Sequence, residues 1–269
     1  MKTSTFVGVL FLVVLLAVTP AFSRAESDAE LARKTQNPIA SLISVPLQFN
    51  YDENLGQNDD GSRYLLNIQP VIPISLNPEW NIISRTIVPL IDLQDFPVKG
   101  DDESGIGDVL QSLFFSPKKP TTRGLIWGVG PVVSFPTASD DYMGTGKLSA
   151  GPTVVGLKQE SGWTYGVLAN HLWSFAGEGG RAYVNATFLQ PFLAFTLPSF
   201  TTVGVNTESS YDWRAEQWSV PVNLMVSQLL RIGSQPVSLQ AGLRYWADSP
   251  EGGPEDIGFR LAITLLFPK

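Results

Sequence analysis

Cysteine is absent from this 269-residue chain, and histidine occurs once, at position 171. No disulfide, thiolate metal site or cysteine nucleophile is available, and a lone imidazole is a poor start for a transition-metal centre. Positive charge is also scarce, with 18 Lys and Arg against 25 Asp and Glu. That balance speaks against binding a phosphate backbone, so no nucleic-acid partner is expected. No G-x-S-x-G, P-loop or H-E-x-x-H motif occurs. The chain therefore offers no catalytic residue, no cofactor site and no metal site. It does not read as an enzyme.

Long apolar runs are lacking as well. Phe6 to Val18 is charge-free and apolar, but it is shorter than the roughly 20 residues that a helix needs to cross a bilayer. Lys2 lies before it; Pro20 and small residues follow. This is the pattern of a secretory signal peptide over residues 1–25, cleaved after Ser23-Arg24-Ala25, with a second possible site after Ser23. Removing Lys2 and Arg24 with the leader leaves 16 basic against 25 acidic residues, a net charge of −9. Residues 26–40 are polar and read as a periplasmic lead-in, partly helical.

What the chain has in quantity is alternation. In its last third, Val203, Val205, Tyr211 and Trp213 alternate with Gly204, Asn206, Glu208, Ser210 and Asp212. The same rhythm runs from Trp218 to Ser227, from Val237 to Tyr245 and from Ile257 to Phe267. Period two means β-strand. These strands exceed the five or six residues usual in globular sheets and suit a tilted membrane crossing of roughly 9–11 residues. One face is apolar and the other polar, which predicts lipid outside and water inside.

Eight earlier strands fit the rhythm: Leu42–Tyr51, Arg63–Leu76, Trp80–Leu93, Ile106–Ser116, Leu125–Phe135, Leu148–Gln159, Trp163–Phe175 and Tyr183–Leu197. The facing of the fourth stays open, because both of its parities mix polar and apolar residues. The eighth reads as bulged at Gln190-Pro191, where the parity slips. Pro131, Pro152, Pro191 and Pro221 suggest kinks, since proline cannot donate to a ladder. The expected fold is an all-β, antiparallel transmembrane barrel of about twelve strands over residues 41–269. Connections alternate between short turns, such as Asn77-Pro78-Glu79 and Glu160-Ser161-Gly162, and longer loops such as Gln94–Ser104 and Ala138–Gly146. Aromatics gather at the expected rims. Tyr51, Tyr64, Trp173, Tyr211, Trp213, Trp218 and Tyr245 lie at the long-loop end, and Trp80, Trp163 and Phe200 at the other.

His171 shares the apolar face with Trp163, Tyr165 and Trp173, and Ser174 points through the opposite face, so the pair does not form a hydrolytic dyad. The acidic loop pairs, such as Asp59-Asp60 and Asp140-Asp141, suit solvated loops that couple through divalent ions to lipopolysaccharide. The lumen carries the one constellation of interest: Arg85, Arg244 and Arg260 with Glu208 and Asp212, beside Asn206 and Gln240. Two readings stand, a brace of salt bridges that fills the barrel or a polar constriction that selects a small-molecule permeant.

Several segments, taken as a series, resemble the outer-membrane family named for the MetA pathway of phenol degradation. They include Ser104-Gly105-Ile106-Gly107-Asp108, Trp127-Gly128-Val129-Gly130-Pro131, Asn170-His171-Leu172-Trp173-Ser174-Phe175 and Arg244-Tyr245-Trp246. The resemblance runs from about Gly105 to the end. It implies a transporter-like barrel of the Gram-negative outer membrane, passive uptake of small molecules with aromatics among them, and no established active site. Barrels in general end on an aromatic that the barrel assembly machinery reads, so that machinery is an expected partner, although here Phe267 is followed by Pro268 and Lys269, an atypical end for that signal. Rival readings are a barrel enzyme acting on lipid and a structural or adhesive barrel. Intact-mass analysis of the exported protein should show a chain starting at Glu26, or at Arg24 for the second site; an uncleaved Met1 would overturn the leader reading.

Overall fold

The computed structural model describes residues 27–268; the expected leader, its expected cleavage sites and Glu26 lie outside them. The alternating stretches form β1 (Ile43–Leu55), β2 (Gly61–Ile68), β3 (Val71–Ser75), β4 (Trp80–Gln94), β5 (Glu103–Ile106), β6 (Val109–Pro117), β7 (Leu125–Phe135) and β8 (Lys147–Glu160). Then come β9 (Trp163–Gly177), β10 (Asn185–Thr196), β11 (Thr201–Thr207), β12 (Ser209–Asp212), β13 (Gln217–Ile232), β14 (Gln235–Asp248) and β15 (Glu255–Phe267). The pairings are antiparallel, and β15 returns to β1 with Ile43 opposite Phe267 and Tyr51 opposite Phe259. Three staves consist of two strands in line: β2 with β3, β5 with β6, and β11 with β12. The sheet is thus a closed barrel of twelve staves. Closure leaves no sheet edge, which is what hydrocarbon demands of any strand-built span.

Each interruption of a stave is bridged by a proline carbonyl. Thr86 N donates to Pro70 O at 3.1 Å, Gly107 N to Pro89 O at 2.9 Å, and Glu208 N to Pro221 O at 3.2 Å. Proline withholds a donor but keeps its acceptor, so the breaks cost little pairing. A register shift does occur at Val220/Pro221. Gln190-Pro191 is not bulged: β10 runs in continuous register against β9 from Asn185 to Phe195. The apparent slip of parity arises because Phe188 and Phe192 point inward, where they pack against a buried core.

The outer face is apolar along every long strand. Leu224, Leu243, Phe259 and Leu261 are each at least half exposed, which in water would be a severe liability and in lipid is the solvation they need. Aromatic clusters ring both rims. Tyr51 meets Tyr64 at 5.1 Å and Tyr211 meets Trp218 at 4.9 Å, while Trp80 meets Trp127 at 5.9 Å at the other end. Phe200 is not part of a girdle; it turns in against the N-terminal helix. The fourth stave's facing is now defined. Ser112, Phe114 and Ser116 are buried on the lumen side, and Phe115 is exposed to the outside. Gln111 lies on the outer face with its amide satisfied: Thr86 Oγ1 donates to it at 2.6 Å, and it donates to Ser84 Oγ at 3.1 Å.

The inner face has two halves. From β3 to β10 it carries an apolar cluster set among small polar side chains: Val71, Ile83, Phe114, Val155, Leu157 and Leu168 converge on Ile39. Ile39 belongs to the N-terminal segment, which enters the barrel from the end with the short turns. Its helix α1 (Asp28–Lys34) is capped by Ser27, whose Oγ accepts from Glu30 N at 3.3 Å, and carries acidic residues in its first turn and basic ones in its last. Leu31 and Ala32 pack with Ala40, Leu42, Leu229 and Leu266 at the mouth. Arg231 Nε donates to Asp28 Oδ1 at 2.8 Å, and Gln159 Nε2 to Arg33 O at 2.7 Å. The segment that follows the expected leader is therefore folded into the barrel, with Ile39 wholly buried at its tip.

Replacing Leu261 by arginine, in the middle of the lipid face, should lower the unfolding free energy in vesicles by about 2–4 kcal/mol. Guanidinium titration followed by tryptophan fluorescence measures it. A variant as stable as the wild type would mean that Leu261 does not meet hydrocarbon.

Candidate functional site

The polar half of the lumen is lined by β13, β14, β15, β1 and β2. Inward parity brings Asn50 and Asp52 from β1, Arg63 from β2, Arg244 and Trp246 from β14 and Arg260 from β15 onto one surface. Glu208, between β11 and β12, reaches across to them. Arg260 forks onto Glu208, with Nη1 to Oε1 at 2.9 Å and Nη2 to Oε2 at 2.7 Å, and its Nε donates to Asn50 Oδ1 at 2.7 Å. Arg244 pairs with Asp52 at 3.2 Å and with Glu208 at 3.7 Å. Arg63 pairs with the other oxygen of Asp52 at 2.8 Å.

These contacts form one unbroken ladder, Arg63–Asp52–Arg244–Glu208–Arg260. Trp246 stiffens its upper end: the indole N–H donates to Asp52 at 2.9 Å, and the ring lies 4.6 Å from the Arg244 guanidinium and 5.9 Å from that of Arg63. Room for the arginines comes partly from Gly258, which is paired with Arg244. A Cβ there would lie 2.3 Å from the carbonyl of Tyr51 and 3.1 Å from the Asp52 carboxylate. Asn50 and Asp52 are fully buried and Arg260 is 1% exposed. Charges this deep persist only when paired and hydrogen-bonded.

Of the residues expected from sequence, Arg244, Arg260 and Glu208 come together in the ladder. Arg85 also faces the lumen, where its Nη2 donates to Gln69 Oε1 at 2.9 Å. Asn206 accepts from Asn223 Nδ2 at 2.8 Å, and Gln240 lines the cavity below the ladder. Asp212 departs from the expectation. It is exposed at the long-loop rim, where its carboxylate accepts from the backbone of Arg214 and Ala215. Asp52, Arg63 and Trp246 were missed, since Asp52 reads as the start of a polar loop. The available signal was parity: β1 continues four residues past Tyr51, and Asp52 keeps the phase of Asn50.

Between the ladder and the N-terminal segment lies a cavity of about 200 Å³, bordered by Thr35 to Pro38, Gln48, Arg85, Gln190, Phe192 and Gln240. The long-loop end is partly covered by residues 138–146. Asp108 accepts from Ala138 N at 3.2 Å and from Thr145 N at 2.7 Å, and Ser139 N donates to Ile106 O at 2.9 Å. His171 stays outside on the lipid face. Its Nδ1 lies 2.7 Å from Thr187 Oγ1, to which Trp213 Nε1 also donates at 2.8 Å. Ser174 is occupied with the backbone of Val184. No group of three or more potential ligands for a metal ion occurs among the described residues.

No protein-family model matches the chain, and no curated protein matches it. Solved structures do. An outer membrane channel from Pseudomonas putida F1 superposes with a TM-score of 0.66 at 10% identity, covering 85% of this chain and 96% of that one. Outer membrane phospholipase A from Escherichia coli gives 0.47 at 9% identity, covering 84% and 92%. OprB from Pseudomonas putida gives 0.35 at 8% identity, covering 84% and 91%. The first likeness is one of fold, and the chain has the architecture of bacterial outer-membrane barrels.

Exchanging Glu208 for glutamine strips Arg260 of its carboxylate and should cost roughly 3–5 kcal/mol of stability. Asp212→Asn, at the solvated rim, should stay within about 0.5 kcal/mol. Both are read by the same guanidinium titration; equal, small losses would show that the ladder is open to water.

Proposed function

We propose that this protein is a passive outer-membrane channel for small molecules, aromatics among them, related to the family named for the MetA pathway of phenol degradation. The observation that carries the reading is the lumen itself. A barrel built only as a membrane anchor has no need of an interior lined by arginine, glutamine and asparagine around a cavity of about 200 Å³. Twelve staves give a bore between the filled eight-strand and open sixteen-strand cases, and the N-terminal segment narrows it further. The shared fold with a channel from Pseudomonas putida F1 supports the same reading. A lipid-cleaving role gains no support from His171, whose ring contacts a threonine and a tryptophan of the girdle. In this proposal the acidic outer loops bind lipopolysaccharide through divalent cations, and the closing strand is the part handled by the barrel assembly machinery.

The segment that carries Ile39 must move or loosen for solute to pass. Ile39→Asp places a carboxylate among Val71, Ile83 and Phe114 and should unseat it, raising unitary conductance in planar bilayers severalfold over the wild type. Silence from both proteins, each refolded as a heat-modifiable barrel, would overturn the channel reading.

A further inference from the structure

Four guanidinium groups enter the middle of the lumen, and two carboxylates answer them. Arg63 takes Asp52, Arg260 takes Glu208, and Arg244 shares both. Arg85 takes neither. Among the described residues, its one side-chain hydrogen bond runs to the neutral amide of Gln69. Glu208 lies within electrostatic reach of Arg85, but each of its oxygens is already bonded to Arg260.

A guanidinium presents its donors in a planar fork that matches a carboxylate, and most of the Arg85 fork is uncommitted. It borders the cavity of about 200 Å³. The side chains of Gln48, Gln190 and Gln240 border the same space and make no hydrogen bond among the described residues. Val71, paired across the strands with Arg85, and Phe192, two residues on from Gln190, add apolar wall, and both contact the core around Ile39. One unneutralised cation, amides that can donate or accept, and an apolar flank are the usual parts of a small-molecule site.

We infer that this cavity is a binding site for a small organic monocarboxylate, with Arg85 holding the carboxylate and Phe192 and Val71 facing its apolar body. The inference rests on the channel reading for its biological sense and names the class of permeant. The charge balance sets the sign of the ligand, because a cation would add to an existing excess of two positive charges among the four arginines and two carboxylates. The apolar flank sets its kind, because inorganic anions gain nothing there. Residues Thr35 to Pro38 close one side of the site, so it is complete only when the N-terminal segment is seated.

The test is isothermal titration of the refolded mature protein in a neutral detergent, with benzoate and hexanoate as probes and benzamide, chloride and phosphate as comparisons. Saturable binding of a carboxylate probe is expected. Benzamide, and benzoate on Arg85→Gln, should each bind at least about tenfold more weakly, a loss of about 1.4 kcal/mol. Arg85→Lys, which keeps the charge and loses the fork, should fall between. Heat-modifiability on gels checks that each variant is folded. If Arg85→Gln does not fold, the benzamide comparison on the wild type decides alone. Equal affinity for benzoate and benzamide, no binding of either carboxylate, or full competition by chloride or phosphate would overturn the site. A wild type that conducts without binding sinks this inference and spares the channel. One that binds without ever conducting does the reverse.

Discussion

The constraint on which everything else depends is the pairing of backbone N–H and C=O groups where no water can reach them. In hydrocarbon an unpaired peptide group costs several kcal/mol, so a strand-built span must close. The return of β15 to β1 satisfies that demand around the whole circumference. Prolines inside the wall would seem to violate it. At Pro70, Pro89 and Pro221 a stave breaks and the proline carbonyl accepts a bond across the break, while Pro131, Pro152 and Pro191 sit in continuous register. Irregularity in this barrel is therefore paired irregularity.

Closure creates the next problem, which is what to put inside. Twelve staves enclose more space than their own side chains fill. The chain uses two different fillings. One half of the lumen is packed dry, with Ile39 driven from the N-terminus into a ring of aliphatic and aromatic side chains. The other half is packed with charge, where five ionised groups pair in alternating sign. A ladder of this kind adds little net stability over an apolar core of the same shape, because desolvation offsets attraction. What it supplies is a defined, polar surface beside a cavity. The seam between the two fillings is where the cavity lies, and Arg85 stands on it.

Much of this was legible in the sequence. The number of staves, the alternation of short turns and long loops, and the inward facing of Arg85, Glu208, Arg244 and Arg260 follow from period two together with the cost of a charge in lipid. The misreadings of the fourth and eighth strands share one cause. Phe114, Phe188 and Phe192 point into the lumen, while Gln111 points toward lipid with its amide bonded to Ser84 and Thr86. Polarity then no longer tells inside from outside. The fourth strand looked ambiguous and the eighth looked bulged for that reason. Asp212 failed differently: its parity was right, but the strand ends there and its carboxylate caps a turn.

The sequence by itself determined a closed antiparallel barrel, because alternation and strand length are local properties that a chain carries without reference to its partners. Only the tertiary structure decided what fills the barrel. That residues 27–40 fold inward and bury Ile39, that Asp52, Arg244, Glu208 and Arg260 form one ladder, and that Arg85 stands beside a cavity with no carboxylate bonded to it all depend on residues brought together from distant parts of the chain. Such contacts are set by the curvature of the closed wall and by competition among charges for few partners, neither of which is written in the spacing of residues along a strand.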